Sequence, residues 1–77
     1  MSTDKAERIR AEAMIRTNGF GQTVAFLSQG DPIVVFLERG LAHHLNGVPL
    51  MQAIQNADST EYLRLTVHAL TVLQQGE

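Results

Sequence analysis

No cysteine occurs among the 77 residues, so neither a disulfide framework nor a cysteine-based zinc site can brace the fold, and no thiol is present as a nucleophile. The lack suits the cytoplasm, where the protein is expected. Long apolar runs are also missing. The longest stretch without Asp, Glu, Lys or Arg, residues 40–57, carries two His, two Asn, two Gln, Gly47 and Pro49. Such a segment cannot span a bilayer. The opening MSTDKAERIR is charged where a secretory signal needs apolar residues, so no signal peptide is expected. A basic excess is the third absence: the net charge is −2, against the positive balance of most domains that bind nucleic acid by charge alone. These limits leave a small soluble domain, near the lower size at which one core is stable alone, with residues 1–77 forming a single unit.

The charge that is present is unevenly placed. Residues 1–16 set Lys5, Arg8, Arg10 and Arg16 against Asp4, Glu7 and Glu12, giving +1, and the remainder sums to −3. Three stretches, 17–30, 40–57 and 65–76, hold no Asp, Glu, Lys or Arg at all. Interface centres are depleted of charge in the same way, so much of the surface is expected to meet partners.

Apolar spacing follows the helical period, and five segments account for nearly the whole chain. The first starts at Asp4, with Glu7 completing a capping-box pattern, and runs to about Thr17. Its apolar residues fall on two sides, Ile9 with Ala13 and Ile15 with Ala11. The second, 20–29, puts Phe20, Val24 and Leu27 in one stripe before Gly30. Asp31 and Pro32 then stop one helix and start the next. The third segment, 32–45, aligns Ile33, Phe36, Leu37 and Leu41, with Gly40 admitting a close neighbour and Asn46-Gly47 closing it. A fourth, 49–57, offers Leu50, Met51 and Ile54. The last opens on Asp58 and Glu61, again at capping-box spacing, and presents Tyr62, Leu65, Thr66, Ala69, Leu70 and Leu73 up to Gly76. Short helices with shorter connections predict an all-α fold, a small antiparallel bundle of about five helices.

Asn18, Gly19 and Gly21 together invite a phosphate-loop reading, which fails: Val24 stands where a third glycine is needed, a helix precedes the loop, and no Gly-Lys-Ser/Thr follows. As a joint between helices the stretch works, with Asn18 capping the second helix, Gly19 taking a left-handed conformation and Gly21 allowing backbone to approach backbone. The histidines His43, His44 and His68 give no convergent metal set, because neighbours on a helix point about 100° apart. His44 falls on the apolar stripe and is expected as a core histidine. No metal site, no cofactor and no catalytic constellation is expected. Residue chemistry leaves nucleic-acid contact open. Lys5 and Arg8 share one face, and Arg64, His68 and Thr71 share another, while the Glu12–Arg16 and Glu61–Arg64 pairs fit an ordinary solvated surface. A helix-turn-helix reading with 59–74 as recognition helix lacks the basic footprint it needs.

Residues 14–27, MIRTNGFGQTVAFL, closely resemble the signature of the small α-helical subunit family of type III-B CRISPR effectors, the Cmr complex. Residues 57–73, ADSTEYLRLTVHALTVL, resemble the pattern of that family's last helix through Asp58, Tyr62, Arg64, Leu65-Thr66 and Ala69-Leu70. The two blocks cover about two-fifths of the chain, around a middle, VFLERGLAHHLNG, that is loosely similar. The resemblance implies a non-enzymatic subunit that stacks as a minor filament beside the RNA-cleaving backbone subunits, helps hold guide and target RNA, and bridges toward the large polymerase-like subunit in antiviral defence. Its partners would be the other effector subunits, copies of itself, and RNA through the complex. The matched polar residues Arg16, Asn18, Gln22 and Arg64, with His68, Lys5 and Arg8 beside them, are the candidates for RNA or subunit contact. Gly19, Gly21, Tyr62 and Thr66 would be structural. Typical members are longer at both ends, so this chain is expected to be a shortened one with fewer basic residues for RNA. An alternative implied by that shortening is a small-subunit mimic from a mobile element that occupies the slot and inhibits the effector.

Overall fold

The residue in front of each helix sets where it begins. In the computed structural model, which describes residues 4–27 and 30–75, the elements are α1 (Lys5–Asn18), α2 (Phe20–Leu27), α3 (Pro32–Gly40), α4 (Ala42–Leu45), α5 (Leu50–Asn56) and α6 (Ser59–Gln75). Among the described residues there is no strand. Asp4 Oδ1 accepts from the Glu7 amide at 2.8 Å and Glu7 Oε1 accepts from the Asp4 amide at 3.3 Å, a complete capping box. Asp31 caps α3 through the Ile33 amide at 2.9 Å, with Pro32 in the first turn. At α6 only half of the box forms: Asp58 accepts from the Glu61 amide at 2.8 Å, while the Glu61 carboxylate turns to Arg64.

The helices close into a compact all-α globule around Phe20, Leu37, Leu41, Leu50, Leu65 and Ala69, each no more than 2% exposed. Helices α1 and α6 run antiparallel along each other. Gln74, near the end of α6, donates to Glu12 of α1 at 2.9 Å, while the joint after α1 lies against Tyr62 near the start of α6. Only one of the two apolar sides of α1 is gripped. Ala11 and Ile15 are buried, whereas Ile9 is 55% exposed. The expected close approach at Gly40 is made by α6, where a Cβ at that position would stand 2.5 Å from Val72 Cγ1.

The segment 32–45 is not one helix. It bends at Leu41 (φ −102°, ψ 13°) into α3 and the single turn α4. The Leu41 carbonyl then serves two amides, His44 at 2.8 Å and Leu45 at 3.1 Å. The bend turns Leu45 inward and His44 outward. His44 is therefore exposed, contrary to the expectation of a core histidine, and its ring stacks on His68 of α6 with centroids 4.2 Å apart. The expected last turn of α2 at 28–29 and the stop at Gly76 lie outside the described residues. No described helix is long and apolar enough to cross a membrane.

Candidate functional site

The joint between α1 and α2 is built from glycine and completed by α6. Asn18 is the last residue of α1 and does not act as the cap expected of it. Gly19 has positive φ as anticipated, but at φ 92°, ψ 157° it sits in a region nearly confined to glycine rather than in the left-handed helical one. Its carbonyl accepts from the Thr23 amide at 3.1 Å and from Thr23 Oγ1 at 2.8 Å, which opens α2. A glycine in that place has no side chain to satisfy the next free amides. Tyr62 of α6 supplies the acceptor: its phenolic Oη accepts from the Gly21 N–H at 2.9 Å.

Around this bond the contacts are of side chain on backbone, not backbone on backbone. A Cβ at Gly21 would meet Ile54 Cγ2 and Tyr62 Oη at 3.5 Å. The Tyr62 ring packs tilted against buried Phe20, with centroids 6.5 Å apart. Thr66 Oγ1 donates to the Tyr62 carbonyl at 2.9 Å. Gly21 and Thr66 are thus hydrogen-bonded to Tyr62, and Gly19 lies beside the Tyr62 hydroxyl.

The polar candidates fall into three groups rather than one site. Arg16, Asn18 and Gln22 are exposed at the rim of the joint. Arg16 pairs with Glu12 at 2.7 Å. Lys5 and Arg8 lie toward the other end of α1, with Lys5 about 16 Å along the axis from Arg16. They line a shallow groove of about 330 Å³ against Gln74 and Gln75, and the Arg8 guanidinium lies over the Phe36 ring at 5.8 Å. Arg64, paired with Glu61 at 3.4 Å, and His68 are one turn apart on α6. Among the described residues no three His, Cys, Asp or Glu side chains come together as a metal-holding group.

Residues 8–75 match the CRISPR-associated protein family Cas_Cmr5. The chain belongs to that family. Membership makes this Cas_Cmr5 chain a subunit of a type III-B CRISPR Cmr complex, of a kind that is generally non-catalytic. No curated protein and no solved structure matches the chain. Both stretches that carry the resemblance lie inside the matched span, and the Tyr62–Gly21 hydrogen bond joins them across 41 residues.

Two residues of consequence escaped the sequence reading. Thr23, 1% exposed, sits four places after Gly19 and three after Phe20, a spacing that could have marked it as inward-facing. Glu38 Oε2 accepts from the Leu50 amide at 2.9 Å and so caps α5, which follows Pro49 and has no side-chain cap of its own. Nothing local in the sequence names Glu38 as the partner.

Proposed function

We propose that this Cas_Cmr5 chain is the non-catalytic small subunit of its effector, that it forms a single domain, and that it stacks in several copies beside the backbone subunits and helps hold guide and target RNA. The family match over residues 8–75 carries the reading. The disposition of the charged residues supports it. Arg16 and Arg64 have side chains 58% and 57% exposed, and their ion pairs are within single helices. Exposed pairs of that kind contribute little to stability, so either arginine can exchange its carboxylate for a phosphate or a neighbouring subunit at small cost. Lys5 and Arg8 flank a groove open to the surface.

Reconstitution of the effector from its other subunits and guide RNA, with and without this chain, tests the proposal. The chain should be recovered in several copies with the backbone subunits. Joint replacement of Lys5, Arg16 and Arg64 by alanine should weaken target-RNA retention and flatten its salt dependence. Recovery only as a free monomer from cells expressing the whole complex would refute the subunit role, and unaltered RNA retention would refute the RNA role.

A further inference from the structure

The charge-free stretches 17–30 and 40–57 converge in space. Val24 and Ala25 of α2, Pro49, and Met51 of α5 enclose, with Val34 of α3, a groove of about 420 Å³. That size is in the range of pockets that take up a ligand-sized group. One charged residue lines it, Glu38, and Glu38 together with Pro49 also forms the wall of an adjoining groove of about 340 Å³ over α4. The carboxylate accepts from the Leu50 amide at Oε2, has no ion-pair partner among the described residues, and retains most of its roughly four acceptor positions. A half-buried carboxylate set in apolar walls is a poor site for RNA, whose phosphates it repels. It suits the one side-chain type that is aliphatic along its stem and cationic at its end.

We propose that this groove is the docking site for a lysine or arginine side chain, in an apolar setting, of another protein subunit of the complex. The stem would lie along Val24, Ala25 and Met51, with the cationic head against Glu38. Charge complementarity selects the occupant, and the depletion of charge around it matches the centre of a protein interface. The inference rests on the subunit reading and adds to it the face that meets protein rather than RNA.

The test is incorporation of the full chain into an effector assembled from the remaining subunits and guide RNA, measured at increasing salt. Ala25→Trp, at an exposed position of α2, introduces an indole at the groove while keeping both partners of the Glu38–Leu50 bond, and should weaken incorporation at least about tenfold with its melting temperature unchanged. Glu38→Gln keeps an acceptor for the Leu50 amide and should weaken incorporation to a similar degree, with a shallower salt dependence. A photocrosslinking residue in place of Gln55, which also lines the groove, should capture a subunit peptide containing Lys or Arg. Wild-type incorporation of both variants, or crosslinking to RNA, would overturn the proposal while leaving the subunit role intact. Failure of the unmodified chain to incorporate would overturn the subunit role and this proposal with it.

Discussion

Replacing Tyr62 by phenylalanine removes one oxygen atom and tests whether α6 caps α2. The ring and its packing on Phe20 remain, so the change isolates the hydrogen bond from the Gly21 amide, 2.9 Å long in the structure. The stranded N–H would be one of the first amides of α2, with no partner inside the helix. Leaving such a donor unsatisfied costs about 1–3 kcal/mol when it is buried. Because Tyr62 and Gly21 are half-buried, the lower part of that range applies, about 1–2 kcal/mol. For 77 residues, an unfolding entropy of about 2.1 cal/mol/K per residue gives roughly 0.16 kcal/mol/K, so the expected fall in Tm is about 6–12 °C. That is a large part of the stability such a small domain can have, on the order of 4–12 kcal/mol. Thermal melts and urea titrations followed by far-UV circular dichroism would measure it, with an unchanged m-value showing that the folded and unfolded states are otherwise the same. Gly21→Ala is the control. Its Cβ would meet neighbours at an ordinary 3.5 Å, so it should be neutral or stabilising by up to about 1 kcal/mol. A Tyr62→Phe protein melting within about 2 °C of wild type would refute the capping role.

Other substitutions test the rest of the frame. Gly19→Ala forces a side chain into a backbone conformation that glycine alone adopts readily, and should destabilise by about 1–3 kcal/mol in the same melts, in contrast to Gly21→Ala. Gly40→Ala places a Cβ 2.5 Å and 2.9 Å from the two Val72 methyls. A cost of about 1–3 kcal/mol is expected, and Val72→Ala in the same chain should recover part of it as a non-additive term in the double-mutant cycle. Phe20→Ala, at 0% exposure, should cost about 3–5 kcal/mol, whereas Phe26→Ser, at 75% exposure, should change stability by no more than about 0.5 kcal/mol.

How much could be read from the sequence depended on how far apart the interacting residues lie. Asp4 with Glu7, Asp31 before Pro32, and the successive residues of the Phe20–Val24 and Leu65–Ala69–Leu73 stripes are one to four positions apart, and one helical turn fixes their geometry. Gly40 was legible for the same reason, since a glycine on an apolar helix face leaves space that another helix can fill. The bend at Leu41 was not, because the stripe Ile33–Leu37–Leu41 continues equally well to His44 or to Leu45. Tertiary packing chose Leu45, and so His44 went to the surface. In the candidate site, the glycine joint was visible, but the acceptor that completes it comes from 41 residues away. The cap on α5 crosses 12 residues. Both helices begin behind a residue, Gly19 or Pro49, whose side chain offers no acceptor, and that shortage is the one local sign that another element supplies the bond.

Helices of 8 and 7 residues, the lengths of α2 and α5, are too short to persist alone in water. Each is held by packing and by an imported cap, Tyr62 for one and Glu38 for the other. The groove proposed to receive a basic side chain lies between these same two helices, with Gly21 and Glu38 in its walls. Folding and docking are thus linked through shared residues, but the two can be separated by experiment. Tyr62→Phe should reduce incorporation only to the extent that it lowers the folded fraction, so the deficit should shrink on cooling toward the temperature of maximum stability. Ala25→Trp should reduce incorporation at every temperature at which the protein is folded. If the two variants lost incorporation in parallel across that range, the joint that sets shape and the groove that meets a partner would be one feature and not two.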